Sequence, residues 1–162
     1  MTAASPPRRS VEEQARLEAA LRDLFTRMIR FNEVLGLRIE SVNPASVRSR
    51  FDMRPELVGH YLYGRLHGGV ISATLDAMGG LAVTAGVGEK HPNETAEQIM
   101  QRFSKVGTID LRVDYLRPGI GTCFHASATV TRLGGRVGST QMRLENERGV
   151  LIATGAASYI LS

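Results

Sequence analysis

From Ser10 onward the chain alternates between two hydrophobic periods, and the switches between them divide it into elements. Ser10-Val11-Glu12-Glu13 has the form of a capping box, in which hydroxyl and carboxylate each meet a backbone N–H that a helix start leaves free. Beyond it Leu17, Leu21, Leu24, Phe25, Met28 and Ile29 recur at three- and four-residue spacing. Glu18, Arg22, Asp23 and Arg27 fill the other face, and the pattern predicts one amphipathic helix over residues 11–35, ended by Gly36. After Gly36 the period falls to two. Leu37 and Ile39 alternate with Arg38 and Glu40, and Val47, Ser49, Phe51 and Met53 alternate with charged neighbours, which predicts two strands joined around Asn43-Pro44. The last third repeats this pattern over Ile109 to Tyr115, Phe124 to Thr131, Val137 to Glu145 and Val150 to Leu161. Turns are predicted at Pro118-Gly119, at a two-residue hairpin Gly134-Gly135, and at Asn146-Glu147-Arg148-Gly149.

Between the two groups of strands lies a different kind of segment. Residues 68 to 86 read as a helix that is apolar nearly all round, with Val70, Ile71, Leu75, Met78, Leu81 and Val83 spread over its circumference. Such a helix is buried on more than one side. The polar stretch 88–107, with Glu94 to Phe103 as a short helix, is predicted to be an inserted surface segment covering a pocket. Strands of nine to eleven residues reach roughly 30 to 37 Å, and a sheet that long must curl around something to bury its face. The predicted class is α+β: a long, curved antiparallel sheet wrapped around one central helix, with an extra N-terminal helix and a disordered stretch over residues 1–10. The open edges and the incompletely covered helix face point to a symmetric dimer.

Composition narrows the picture. The 162 residues, 43% hydrophobic and 22% charged, suit one soluble domain. Cys123 is the only cysteine, and no Cys/His cluster has zinc-ligand spacing, so neither a disulfide scaffold nor a metal or other cofactor is expected. A reducing, cytoplasmic setting fits this, as does an N-terminus without an apolar run of signal-peptide length. The apolar segment 68–88 is long enough for a membrane span, but Asp76 near its middle and the glycines along it favour a buried helix, without membrane insertion. The net charge is +4, and 18 of the 20 basic residues are arginines scattered from Arg8 to Arg148. Dispersed arginine favours anionic small molecules over nucleic acid.

The chemistry gathers at the start of the apolar helix. Asp76 is its only ionisable side chain, and a carboxylate there must be paired, protonated or turned toward a solvated cavity, where a general base or nucleophile belongs. At Gly68-Gly69 the unpaired N–H groups and positive dipole end of the helix can hold a carbonyl oxygen that is gaining charge. A bonded core carboxylate and a loop histidine at His67 are the plain structural alternatives. The order His-Gly-Gly, followed nine residues after His67 by the lone acid, favours an acyl-transfer site.

The stretch Gly64-Arg-Leu-His-Gly-Gly-Val-Ile-Ser-Ala-Thr-Leu-Asp76, followed by Thr108-Ile-Asp-Leu-Arg-Val-Asp-Tyr-Leu-Arg-Pro118, resembles the hotdog-fold acyl-CoA thioesterases of the PaaI type, over about residues 35 to 161. Around Gly59 to Gly80 the wording is most similar to YigI-type bacterial medium- and long-chain acyl-CoA thioesterases. The resemblance implies a hotdog domain over 36–162, an acyl-CoA substrate and a homodimer or homotetramer. It further implies that Asp76 activates water or attacks the thioester, that Gly68 polarises the carbonyl, and that Thr108 positions the water from the partner subunit. His67 would orient the loop or the thioester. Relatives often carry Asn six or seven residues before this histidine; here those places hold Tyr61 and His60, so the holder of that role stays open. Gly69 would allow close approach of substrate. Coenzyme phosphates would meet Gly135 and Arg136 of the Gly134-Gly135-Arg136 hairpin, then Arg65 and Arg117. Leu62, Tyr63 and the 88–107 segment would shape an acyl tunnel beside the central helix. Hotdog dehydratases use an Asp-x-Asn-Pro-x-His or a His near Phe-Pro, neither of which occurs here. A non-catalytic acyl-CoA sensor or scaffold leaves Asp76 unexplained, and the N-terminal helix lacks a helix-turn-helix partner.

Overall fold

A computed structural model describes residues 8–162. Of the predicted disordered stretch 1–10, residues 1–7 lie outside the described residues. Arg8, Arg9 and Ser10 are placed: the Arg9 N–H donates to the Pro92 carbonyl, and its guanidinium donates to the carbonyls of Gly88, His91 and Glu94. The Ser10 hydroxyl accepts from the Glu13 N–H, as the capping box requires, and opens helix α1 (Val11–Asp23).

The predicted single helix is two helices. A wide turn at Leu24–Met28 lets the Ile29 N–H reach back five residues to the Leu24 carbonyl, and Ile29 then leaves the helical conformation before α2 (Arg30–Leu35) resumes. Buried Asn32 holds the break, its amide donating to the Phe25 carbonyl at 2.9 Å. Gly36, at φ 72°, ends α2 in the left-handed conformation that glycine adopts without penalty.

Strands β1 (Arg38–Ser41) and β2 (Val47–Asp52) follow, then a small ribbon of β3 (Val58–His60) and β4 (Arg65–Leu66), which periodicity had not predicted. Helix α3 (Gly68–Lys90) runs four residues beyond its predicted end, into the segment read as an insertion. The rest of that segment carries α4 (Ala96–Phe103), opened by a Thr95–Gln98 capping box. It is more than surface: Ile99 is fully buried, and the Phe103 ring meets Phe25 edge-on at 5.4 Å.

The sheet is completed by β5 (Gly107–Tyr115), β6 (Cys123–Leu133), β7 (Val137–Asn146) and β8 (Leu151–Ile160). All neighbours are antiparallel, in the order β1-β2-β6-β7-β8-β5. Leu133 pairs with Gly138 and the Gly134 N–H donates to the Val137 carbonyl, so the loop residues of this hairpin are Gly135 and Arg136, one position later than predicted. Helix α3 lies across the concave face, with Leu75, Met78, Leu81 and Val83 fully buried against inward residues such as Phe124, Ala126, Met142 and Leu144. Each large apolar side chain taken from water there contributes about 1.5 to 3 kcal/mol. By length and hydropathy α3 passes for a membrane span, and its burial in the sheet accounts for that composition without a bilayer.

Candidate active site

The carboxylate of Asp76 leaves the third turn of α3 toward the end of the sheet where β5 begins and β8 finishes. Thr108 and Tyr159 are direct cross-strand partners there, next to a bulge at Ile109 that breaks the β5–β8 register. Thr108 Oγ1 donates to Asp76 Oδ1 at 2.9 Å. The Tyr159 hydroxyl donates to the same oxygen at 3.2 Å and to the Asp76 main-chain carbonyl at 2.9 Å. Thr108 therefore reaches Asp76 within one chain, a correction to its expected arrival from a partner subunit. Tyr159 is a residue that sequence reasoning missed. The one trace of it in the sequence is Gly79: a Cβ there would lie 2.1 Å from the Tyr159 hydroxyl.

Asp76, Thr108 and Tyr159 form the polar side of a cavity of about 250 Å³ whose remaining walls are largely apolar. Phe25, Ile29 and Phe31 come from the broken N-terminal helix, Phe103 and Val106 from α4 and the turn after it, and Ala73, Ala77 and Gly80 from α3. The 88–107 segment does border a pocket, through Phe103, Val106 and Gly107. Leu62 and Tyr63 do not line it; with Tyr61 they stand exposed at the tip of the β3–β4 ribbon.

His67 is the N-cap of α3, its Nδ1 accepting the Gly69 N–H at 2.8 Å, which places the proton of the neutral ring on Nε2. The ribbon packs so tightly on this residue that a Cβ on Gly59 would sit 2.5 Å from the His67 Cα. With the Gly69 donor taken, and the Val70 and Ile71 N–H groups turned to the His67 carbonyl, the Gly68 N–H at the head of the helix has no acceptor among the described residues. Gly68 lines a second, shallower depression with Arg65, Leu66, Tyr115 and Arg117, and the Tyr115 hydroxyl donates to the Gly68 carbonyl at 3.1 Å. His60 is on the ribbon, its ring stacked on Tyr61 and tilted against Tyr63, and its buried Nδ1 has no partner among the described residues.

The predicted catalytic residues thus fall into two groups, Asp76 with Thr108 and Gly68 with His67, that one chain does not bring together. The two depressions share no lining residue. Asp76 follows Gly68 by eight positions of helix, about 12 Å along the axis. Gly135 and Arg136 are exposed and line neither depression, but Val137, Ile160 and Gly107 form one cross-strand row, so the Arg136 hairpin stands at the Asp76 end of the sheet. No group of three or more His, Cys, Asp or Glu side chains is arranged to hold a metal among the described residues.

The profile of the Thioesterase superfamily matches residues 63–153, which takes in the His67-Gly68-Gly69 start of α3, Asp76 and Thr108. The chain belongs to the thioesterase superfamily. It is 37% identical, over 86% of its length and 90% of the relative's, to the medium/long-chain acyl-CoA thioesterase YigI of Salmonella typhimurium, and 36% identical over the same shares to YigI of Escherichia coli K12. A crystal structure from Shewanella oneidensis, described as related to the thioesterase superfamily, superposes with a TM-score of 0.87 at 39% identity, covering 92% of this chain and 97% of that one. The expected α+β hotdog architecture is the one observed: a long antiparallel sheet, its central helix α3 and an N-terminal helical segment in front.

Proposed function

We propose that this thioesterase hydrolyses the thioester of a medium- or long-chain acyl-CoA, with Asp76 as its general base. The observation that carries the proposal is a carboxylate with one oxygen bonded and the other without a partner among the described residues, set at the polar side of an apolar chamber. The acyl chain fills the chamber and brings the thioester carbonyl to its mouth. Asp76 Oδ2 takes a proton from water as that water attacks the carbonyl carbon. The tetrahedral oxyanion collapses and expels the coenzyme thiolate, which recovers the proton from Asp76.

The oxyanion needs a donor, and the free donor at Gly68 is a chamber away in the same chain. A second copy supplies it. Strand β5 is an edge strand, with Ile109 and Tyr115 exposed along it. It runs from Thr108, at the Asp76 half-site, to Tyr115, which touches Gly68. Pairing two β5 edges antiparallel about a two-fold axis sets the Tyr115 end of one copy beside the Thr108 end of the other, and the two depressions merge. Arg65 and Arg117 of one copy and Arg136 of the other then flank one mouth, as partners for the coenzyme phosphates.

Thiol release from a panel of acyl-CoAs tests the reading, wild type against Asp76→Asn. Loss of a general base lowers the rate by about a hundredfold to ten-thousandfold. A wild-type protein that releases no thiol from any chain length sinks the reading, and so does an Asp76→Asn protein as active as wild type.

A further inference from the structure

Two hydroxyl donors close on the same oxygen of Asp76, and the helix gives up a side chain to make room for one of them. Thr108 and Tyr159 lie opposite each other on β5 and β8, and both project onto α3. Thr108 bonds Oδ1 alone, whereas Tyr159 bonds Oδ1 and the Asp76 main-chain carbonyl together, tying the side chain to its own backbone. The Tyr159 ring is 1% exposed. Burial raises its phenol far above the ordinary value, and the negative charge of Asp76 raises it further, so the hydroxyl is a donor throughout the range in which the enzyme works. At Gly79 any Cβ would occupy the place of that hydroxyl. Glycine inside a helix costs about 0.5 to 1 kcal/mol relative to alanine as a general matter, so a position that keeps one has a reason.

We propose that Tyr159 is a positioning residue for the hydrolysis, holding the Asp76 carboxylate by Oδ1 so that Oδ2 alone faces the thioester. The proposal rests on the acyl-CoA hydrolase reading above. The carboxylate torsion of aspartate is broad, so the plane of an unheld group swings through a wide range. Here that rotation breaks the Thr108 bond and the Tyr159 side-chain bond at once. Tyr159 acts through Asp76 and need not touch substrate.

The test is steady-state hydrolysis of one long-chain acyl-CoA, with denaturant unfolding alongside, by wild type, Asp76→Asn, Tyr159→Phe and Gly79→Ala. Tyr159→Phe keeps the ring and deletes the donor. Its kcat is expected to fall by about ten- to a hundredfold with KM within about twofold, the loss of one hydrogen bond to a charged group. Because the ring stays in place, the loss is confined to kcat, whereas a merely structural role moves KM and the unfolding midpoint with it. Gly79→Ala displaces the hydroxyl from the other side of the contact and is expected to lower kcat in the same way with KM little changed; it carries the test should Tyr159→Phe not fold. A folded Tyr159→Phe with unchanged kcat, or with kcat lowered only in step with a raised KM and a lowered unfolding midpoint, overturns the positioning role while the hydrolase reading stands. Full activity in Asp76→Asn overturns that reading itself.

Discussion

His67 stands where a helix start needs an acceptor, and its Nδ1 takes the Gly69 N–H in the way that Ser, Asn or Asp does at other N-caps. That bond leaves Gly68 as the exposed donor, so the histidine acts on the chemistry by shaping the helix head. A capping role and a chemical role separate on two substitutions. His67→Ala loses about 1 kcal/mol of stability, read by denaturant unfolding, and releases thiol more slowly because the Gly68 N–H is no longer held in place. His67→Asn, which keeps a capping acceptor, is expected to recover most of both. An Asn variant as stable as wild type yet as inactive as His67→Ala assigns the imidazole a direct part in the reaction. At this scale Asp76 and Gly68 were legible in the sequence, because a lone acid in an apolar helix and a glycine at its start are each locally anomalous. Tyr159 was not. An aromatic at an inward strand position reads as core, and its partner lies 83 residues away. Only Gly79, in the middle of a buried helix, recorded the contact.

Element boundaries followed the periodicity closely in the sheet, where burial on one face enforces strict alternation, and less closely in the helices. The turn at Leu24–Met28 adds one residue without disturbing the three- and four-residue spacing, so the sequence reads straight through it. Yet the break is what turns Phe25, Ile29 and Phe31 into the chamber. The opposite wall is Gly80, where a Cβ would meet nothing closer than 3.9 Å, from the Phe25 and Tyr159 rings. At its neighbour Gly79 a Cβ would displace the Tyr159 hydroxyl; Gly80 has space that the proposed acyl chain occupies. Gly80→Val is therefore expected to fold and to shorten the chamber. In kcat/KM it loses about tenfold or more on palmitoyl-CoA while butyryl-CoA changes by less than about threefold, since each lost methylene contact is worth about 1 to 3 kcal/mol. An unchanged ratio between the two substrates places the acyl chain elsewhere.

For the whole molecule, open sheet edges pointed toward a dimer from the sequence, but which group crosses between copies was not legible there. Periodicity puts residues on faces and leaves open which end of a strand meets which helix. The geometry of one chain departs from the expected exchange: Thr108 is at home with Asp76, and in the proposed dimer it is the Gly68 donor that crosses. This two-copy site predicts complementation. Gly68→Pro deletes the donor at the first helical position, where proline is well tolerated. His67 at φ −66° and ψ 139° already has the extended backbone that a residue before proline requires. Gly68→Pro and Asp76→Asn homodimers are each expected to be nearly inactive. When the two are unfolded together and refolded as an equal mixture, half the dimers are mixed, and each mixed dimer has one site carrying both lesions and one carrying neither. Activity then returns to about a quarter of wild type, as two-fold symmetry demands. A site completed within one chain has no such route, because every chain in the mixture carries a lesion. Refolded mixtures no more active than the parents, while sedimentation shows mixed dimers present, rule out a donor supplied across the interface.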